Sequence, residues 1–419
     1  MKKFFMFFFL LSVCTSYADA KRYIVTVFTE SRAPINWDAF VTRSGGEVVK
    51  KFKFMNAALL DLTPQQAENL QSRAMKGVVI EEDLKEYWLE DDFGSSAMGA
   101  FKKYAAEQPA AGKNKNNRNK NNVPPAANIA PVAVSTPTAW EDGAQNKEYP
   151  WGVSRMFATG AWNIAQGAGV KVAIIDTGIN YNHEDLSANY AGGVNFTTEG
   201  DEEDPMDGHG HGTHVAGIIA AARNGKGVVG VAPKAKIYAV KVLSSDGYGD
   251  RSSVISGIEW ATEHGMNVIN MSLGSTQMTV AQRTAIQEAT ARGIIVVCSA
   301  GNRGPSGAMS YPGLFPETMA VAASDKFDKV ASFSSRGPEV DVIAPGVRVY
   351  STLHNGEYGY KSGTSMAAPH VSGLAALAIS AGYPSKDVRQ LIQDNTIRLP
   401  NLTQNEQGRG LANAAWIKK

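Results

Sequence analysis

The chain is poor in cysteine, in net charge and in long apolar runs, and each shortage removes a class of protein. Only Cys14 and Cys298 occur among 419 residues, so a disulfide-stapled fold is excluded. Cys14 lies in a segment that export would remove, and Cys298 follows the apolar run Ile294-Ile295-Val296-Val297, which reads as a buried, inert thiol. The 41 basic and 40 acidic side chains leave a net charge of +1, which gives no general pull toward nucleic acid or an anionic membrane. The leading apolar stretch, Phe4 to Val13, is too short to span a bilayer, so no membrane span is expected.

That stretch is preceded by Lys2 and Lys3 and followed by Ala18-Asp19-Ala20. This is the order of a secretory signal over residues 1–20, and it predicts a secreted protein cleaved after Ala20. The balance of 43% hydrophobic and 19% charged residues is that of a globular protein long enough for two folded units and connectors. Residues 21–92 predict a small α+β unit: a strand Tyr23 to Phe28, a helical stretch near Trp37, a Gly45-Gly46 turn, a strand pair ending in Asn56 to Leu62, and a closing strand Val78 to Ile80. Between them, Thr63-Pro64-Gln65-Gln66 has the capping threonine, first-position proline and third-position glutamine of a helix start. So small a unit buries little surface and is marginal without a partner. Residues 93–148 form a low-complexity linker, in which Ala111 to Asn122 holds six asparagines and four basic residues but no aromatics for stacking on nucleic acid.

From residue 149 to residue 419 the pattern changes to strand and helix in alternation. Apolar runs at Val170 to Ile175, Ile237 to Leu243, Val268 to Leu273, Ile294 to Val297 and Met319 to Ala323 alternate with helical stretches such as Ser253 to His264 and Val280 to Arg292. This predicts an α/β fold, a mostly parallel sheet with helices on both faces, whose chemistry gathers at the carboxyl ends of the strands. Asp176 stands at such an end. His211 lies within a glycine-rich turn that opens the apolar stretch Val215 to Ala222, and Ser365 heads a small-residue helix whose N-terminal dipole favours developing negative charge on its oxygen. Each has an ordinary structural explanation as a turn, core or capping residue. Together, in the order Asp, His, Ser on an alternating chain, they point to nucleophilic hydrolysis.

The segments Ala173-Ile174-Ile175-Asp176-Thr177-Gly178, His211-Gly212-Thr213-His214-Val215-Ala216-Gly217 and Gly363-Thr364-Ser365-Met366-Ala367-Ala368-Pro369 resemble the three signatures of the subtilisin family, and the resemblance runs from about Tyr149 to the C-terminus. It implies a secreted serine endopeptidase acting on polypeptides. Asp176, His211 and Ser365 are its implied triad, with Asn302 and the Ser365 amide as oxyanion donors. Gly247, Tyr248 and Gly249, with Ser272, Leu273 and Gly274, resemble the edges that pair with an extended substrate. Ala300, Gly301, Arg303 and Ser310 resemble the primary specificity pocket, where Arg303 predicts a bias toward acidic side chains. Thr177 stands where dibasic-processing relatives carry an aspartate, which argues against strict dibasic cleavage.

The resemblance further implies structural calcium held by side-chain oxygens of Asp185 and Asn224 and carbonyls of Ala222, Lys226 and Val228. Lys147 occupies the place of one family ligand and cannot ligate a cation; Gln145 is the nearest substitute. The acidic loop Asp201, Glu202, Glu203, Asp204 and Asp207 is a second cation candidate. The N-terminal unit resembles an inhibitory propeptide acting as intramolecular chaperone of a self-processing zymogen, with Leu84 to Leu89 as its product-like tail. Two other hydrolases remain in view: a zinc enzyme using His209, His211 and His214, whose spacing is not the helical His-Glu-x-x-His, and an esterase, for which Ala367 replaces the second glycine of Gly-x-Ser-x-Gly.

Overall fold

The computed structural model describes residues 20–28, 34–73, 77–89 and 148–418. The leader, the linker up to residue 147, and with them Gln145 and Lys147, lie outside the described residues. The chain divides into two compact units, Met1–Leu84 and Lys85–Lys419.

In the first unit, strands β1 (Lys21–Val27), β2 (Glu47–Lys51), β3 (Ala57–Leu62) and β4 (Val78–Glu82) form an antiparallel sheet in the order β2-β3-β1-β4. The helices Trp37–Ser44 and Pro64–Arg73 supply its remaining layer, and Val25, Trp37, Ala58, Leu60, Leu62 and Ala67 make a small core. The second helix starts as the sequence demands: Gln66 N–H donates to Thr63 Oγ1 at 3.2 Å, and Thr63 N–H donates back to Gln66 Oε1 at 2.8 Å.

The second unit contains strands β5 (Lys85–Tyr87), β6 (Lys171–Asp176), β7 (Tyr190–Asn195), β8 (Lys236–Lys241), β9 (Tyr248–Asp250), β10 (Val268–Met271), β11 (Ile295–Ser299), β12 (Met319–Ser324), β13 (Val342–Pro345), β14 (Val349–Thr352) and β15 (Tyr358–Lys361). Seven of them form a parallel sheet in the order β13-β12-β11-β10-β6-β8-β7. Its central strands are apolar on both faces because each face is covered. Val172 and Ile174 of β6 join the core that holds Val215 and Ile219 of the helix His211–Ala220 and Leu374 of the helix Thr364–Ser380. Ile175 of β6 and Val240 of β8 instead pack beneath Gly257 of the helix Arg251–Glu263. Alternate residues of one strand thus meet different helices, as a two-sided parallel sheet requires. Cys298 is fully buried in β11, and burial pushes its thiol pKa up, so it has no reactive thiolate.

Candidate active site

Asp176 is the last residue of β6, and the next two residues turn the chain across the carboxyl end of the sheet. His211 is the first residue of its helix, and Gly210 ahead of it adopts a left-handed φ of 94°. The imidazole Nδ1 lies 2.7 Å from Asp176 Oδ1, and the side chains are 2% and 0% exposed. A carboxylate so placed requires the proton on Nδ1, which leaves Nε2 as the basic nitrogen. Gly212 permits this approach: a Cβ there would lie 2.1 Å from Gly178 O and 3.2 Å from Asp176 Cβ.

Asp207 secures the same turn from within. Its Oδ1 accepts from Thr177 Oγ1 at 2.8 Å and from the amides of His209 and Gly210, while Oδ2 accepts from the amide and hydroxyl of Thr213. At 4% exposure it is buried, whereas Asp201, Glu202, Glu203 and Asp204 of the same acidic loop are exposed. Asp204 is similarly occupied by the Tyr181 hydroxyl at 2.9 Å. The sequence carries no signal for this role, since Asp207 ties the turn that follows it to Thr177, 30 positions away.

Ser365 is the second residue of the helix Thr364–Ser380. Its hydroxyl donates to the Ser272 carbonyl at 3.1 Å, and Ser272 Oγ donates to the Ser365 carbonyl at 2.8 Å. Ser272 therefore seats the serine through both its side chain and its carbonyl. Asn302 Oδ1 accepts from the Thr364 amide and hydroxyl, each at 2.9 Å, which fixes the amide flip and makes Nδ2 the donor end. Asn302, Ser365, Gly301, Leu273, Gly274 and Ser310 line one pocket together with Ser299, Thr364 and Trp88. Ala300 does not line it: its methyl joins the core of Met309, Ala320 and Ile343. Arg303 lies behind the pocket wall, its Nη2 donating to Ser310 Oγ at 3.1 Å. Gly247, Tyr248 and Gly249 stand at the other edge, where β5 pairs antiparallel with β9.

The three histidines read as zinc ligands do not converge. His211 is committed to Asp176, while His214 Nε2 faces the carbonyls of Val349 and Gly359 at 3.1 and 3.2 Å. His209 and His211 have ring centroids 6.4 Å apart at a steep angle. Burial lowers the His214 pKa to about 3 and that of His370, whose Nδ1 lies 2.8 Å from Met366 O, to about 4.

Residues 167–411 match the family model described as Subtilase family. The chain belongs to the subtilase family. Similar proteins include M-protease of Shouchella clausii, 46% identical over 268 residues, or 63% of this chain and 68% of the relative. Subtilisin Savinase of Lederbergia lenta is 46% identical over 63% of this chain and 97% of its own length. Subtilisin E of Bacillus subtilis is 46% identical over 63% of this chain and 70% of its own length. This subtilase is a serine endopeptidase of the subtilisin type, and polypeptides are its substrates.

Two of the implied calcium ligands of this subtilase, Asp185 and Asn224, meet across two segments of the chain. Asp185 is fully buried; its Oδ1 accepts from Asn224 Nδ2 at 2.9 Å and its Oδ2 from the Val228 amide at 2.8 Å. Asn224 Oδ1 is turned to the Lys226 amide at 2.9 Å, and the Ala222 carbonyl accepts from the Asn224 amide at 3.0 Å. The Asp185, Asn224 and Ala222 oxygens are thus engaged by donors of the protein itself. Among the described residues no group of three or more His, Cys, Asp and Glu side chains could hold a metal, and no helix is long and apolar enough to cross a membrane.

Proposed function

We propose that Ser365 is the nucleophile, His211 the general base and acid, and Asp176 the group that orients the imidazole. The observation carrying this assignment is the buried 2.7 Å Asp176–His211 contact, with Ser365 in the first turn of the helix Thr364–Ser380. In the reaction the Ser365 hydroxyl leaves the Ser272 carbonyl, gives its proton to His211 Nε2 and attacks the scissile carbonyl carbon. Asn302 Nδ2–H and the Ser365 amide donate to the oxygen that becomes negative. One such side-chain donor supplies about 3 kcal/mol of transition-state stabilisation, a size measured on a subtilisin itself. The intermediate collapses as His211 returns the proton to the leaving amine, and water then hydrolyses the Ser365 acyl ester by the same steps in reverse. Labelling of the full-length chain by a serine-reactive fluorophosphonate, mapped by peptide mass, tests the assignment. Label on Ser365 supports it; label elsewhere, or none on a folded and proteolytic chain, overturns it.

The same reading makes the Gly247-Tyr248-Gly249 and Ser272-Leu273-Gly274 segments the two edges between which an extended peptide lies. Gly301, Arg303 and Ser310 then belong to the primary pocket, and Arg303, acting through Ser310, favours acidic side chains there. Equal rates on peptides differing only by glutamate or lysine at that position would remove this preference.

Residues 1–20 are proposed to direct secretion, residues 21–92 to be the chaperone and inhibitor of a zymogen, and residues 93–148 its linker. Supporting the inhibitory part, Trp88 lines the Ser365 pocket, and Trp88 and Leu89 are 2% and 1% exposed. Calcium binding at Asp185 requires Asn224 to turn its oxygen inward, after which Asp185 and Asn224 with the carbonyls of Ala222, Lys226 and Val228 suit a hard cation. Calcium is then expected to raise the thermal midpoint of the Ser365→Ala chain and a chelator to lower it; a midpoint indifferent to both excludes the site.

A further inference from the structure

We propose that Arg251 makes the substrate cleft selective for peptides with an acidic side chain at the position taken by Glu86, two residues before Trp88. The inference rests on the reading of residues 85–89 as a substrate-like segment. That segment pairs Lys85 with Asp250, Glu86 with Gly249 and Tyr87 with Tyr248. The pairing continues where the Trp88 amide donates to Gly247 O at 3.2 Å and the Gly274 amide donates to Trp88 O at 2.9 Å. Strand addition of this kind uses backbone groups that every peptide has, so discrimination must come from side chains.

Glu86 supplies one. Arg251 Nε donates to Glu86 Oε1 at 3.0 Å, and Nη2 donates to the same oxygen. The two side chains are 10% and 6% exposed, so both charges have left bulk water. In that setting an opposite charge is favoured, a neutral isostere leaves the guanidinium without its counter-ion, and a like charge is repelled.

A second observation concerns the helix itself. Arg251 is the first residue of Arg251–Glu263, and the first turn carries no acidic side chain. Positive charge at a helix N-terminus opposes the macrodipole, and an incoming carboxylate offsets both. The N-cap residue Asp250 makes no side-chain capping hydrogen bond, and the Glu86 carboxylate bonds Arg251 directly.

The test uses the full-length chain and a quenched peptide carrying residues 84–92, with its Glu86→Gln and Glu86→Lys versions. Wild type is expected to show kcat/KM at least about tenfold higher for the glutamate peptide than for the glutamine peptide, with lysine lowest. Arg251→Gln is expected to bring the three within about twofold, Arg251→Lys to restore part of the preference, and Arg251→Glu to favour the lysine peptide. Equal fluorophosphonate labelling of Ser365 in each variant reports an intact site, and peptides that resist cleavage are ranked as inhibitors of a reporter peptide. Similar handling of the glutamate and lysine peptides by labelled wild type overturns the proposal while leaving the peptidase standing. Absence of both labelling and cleavage sinks the underlying reading and the proposal with it.

Discussion

Replacing Ser365 with alanine is expected to lower kcat by about 10⁶, the size seen when a subtilisin loses this serine. The fold has little reason to change. The hydroxyl makes one modest bond, to Ser272 O, and the backbone bond from Ser272 Oγ to Ser365 O survives truncation. What disappears is the proposed nucleophilic oxygen, and in that reading neither Asp176 nor His211 acts on the substrate without it. Asn302 remains held by Thr364, so a residual acceleration of about 10³ to 10⁴ over water persists from oxyanion stabilisation and binding. Steady-state kinetics on a quenched peptide, with purity checked by fluorophosphonate labelling, measures this. A variant retaining more than about a hundredth of the wild-type rate would place the nucleophile elsewhere.

Acidification is expected to remove about 4 kcal/mol of folding stability between pH 8 and pH 5, through His214 and His370. Both are fully buried and have folded pKa values lowered to about 3 and about 4, against about 6.5 in an unfolded chain. Below about pH 6.5 the unfolded state therefore binds protons that the folded state refuses, and stability falls as pH falls. At pH 5 each histidine lies about 1.5 pH units below its unfolded pKa and above its folded one, a difference of about 2 kcal/mol per group. Asp341, with its pKa raised chiefly by burial, works in the opposite sense over part of this range. Denaturant unfolding of the Ser365→Ala chain, which avoids self-digestion, checks the sum; a stability unchanged from pH 8 to pH 5 would show these rings to be hydrated or charged in the fold.

Much of the fold was legible because its signals are local. The central strands β6, β8, β10, β11 and β12 are apolar on both faces and stand out as runs. The two outermost, β7 and β13, do not. β7 contains Gly192-Gly193 and β13 is four residues ending in Pro345, and an edge position tolerates both because it lacks one neighbour to pair with. The hairpin of β14 and β15 was equally silent, since its value lies in covering the His211–Ala220 helix.

Asp176, His211, Ser365 and Asn302 could be proposed from the chain because each stands at a turn by a strand or helix end, and such turns leave neighbouring glycines and small residues as a local imprint. The buried work of Asp207, the turning of Ala300 into the core and the meeting of Glu86 with Arg251 left none. The last two residues stand 165 positions apart in the chain, and their contact depends on strand register across the cleft. Reaction chemistry is thus written in short segments whose backbone must curve in one way, whereas charge selectivity and the bracing of the site arise from long-range packing, where any acid or base of suitable length looks alike in the sequence.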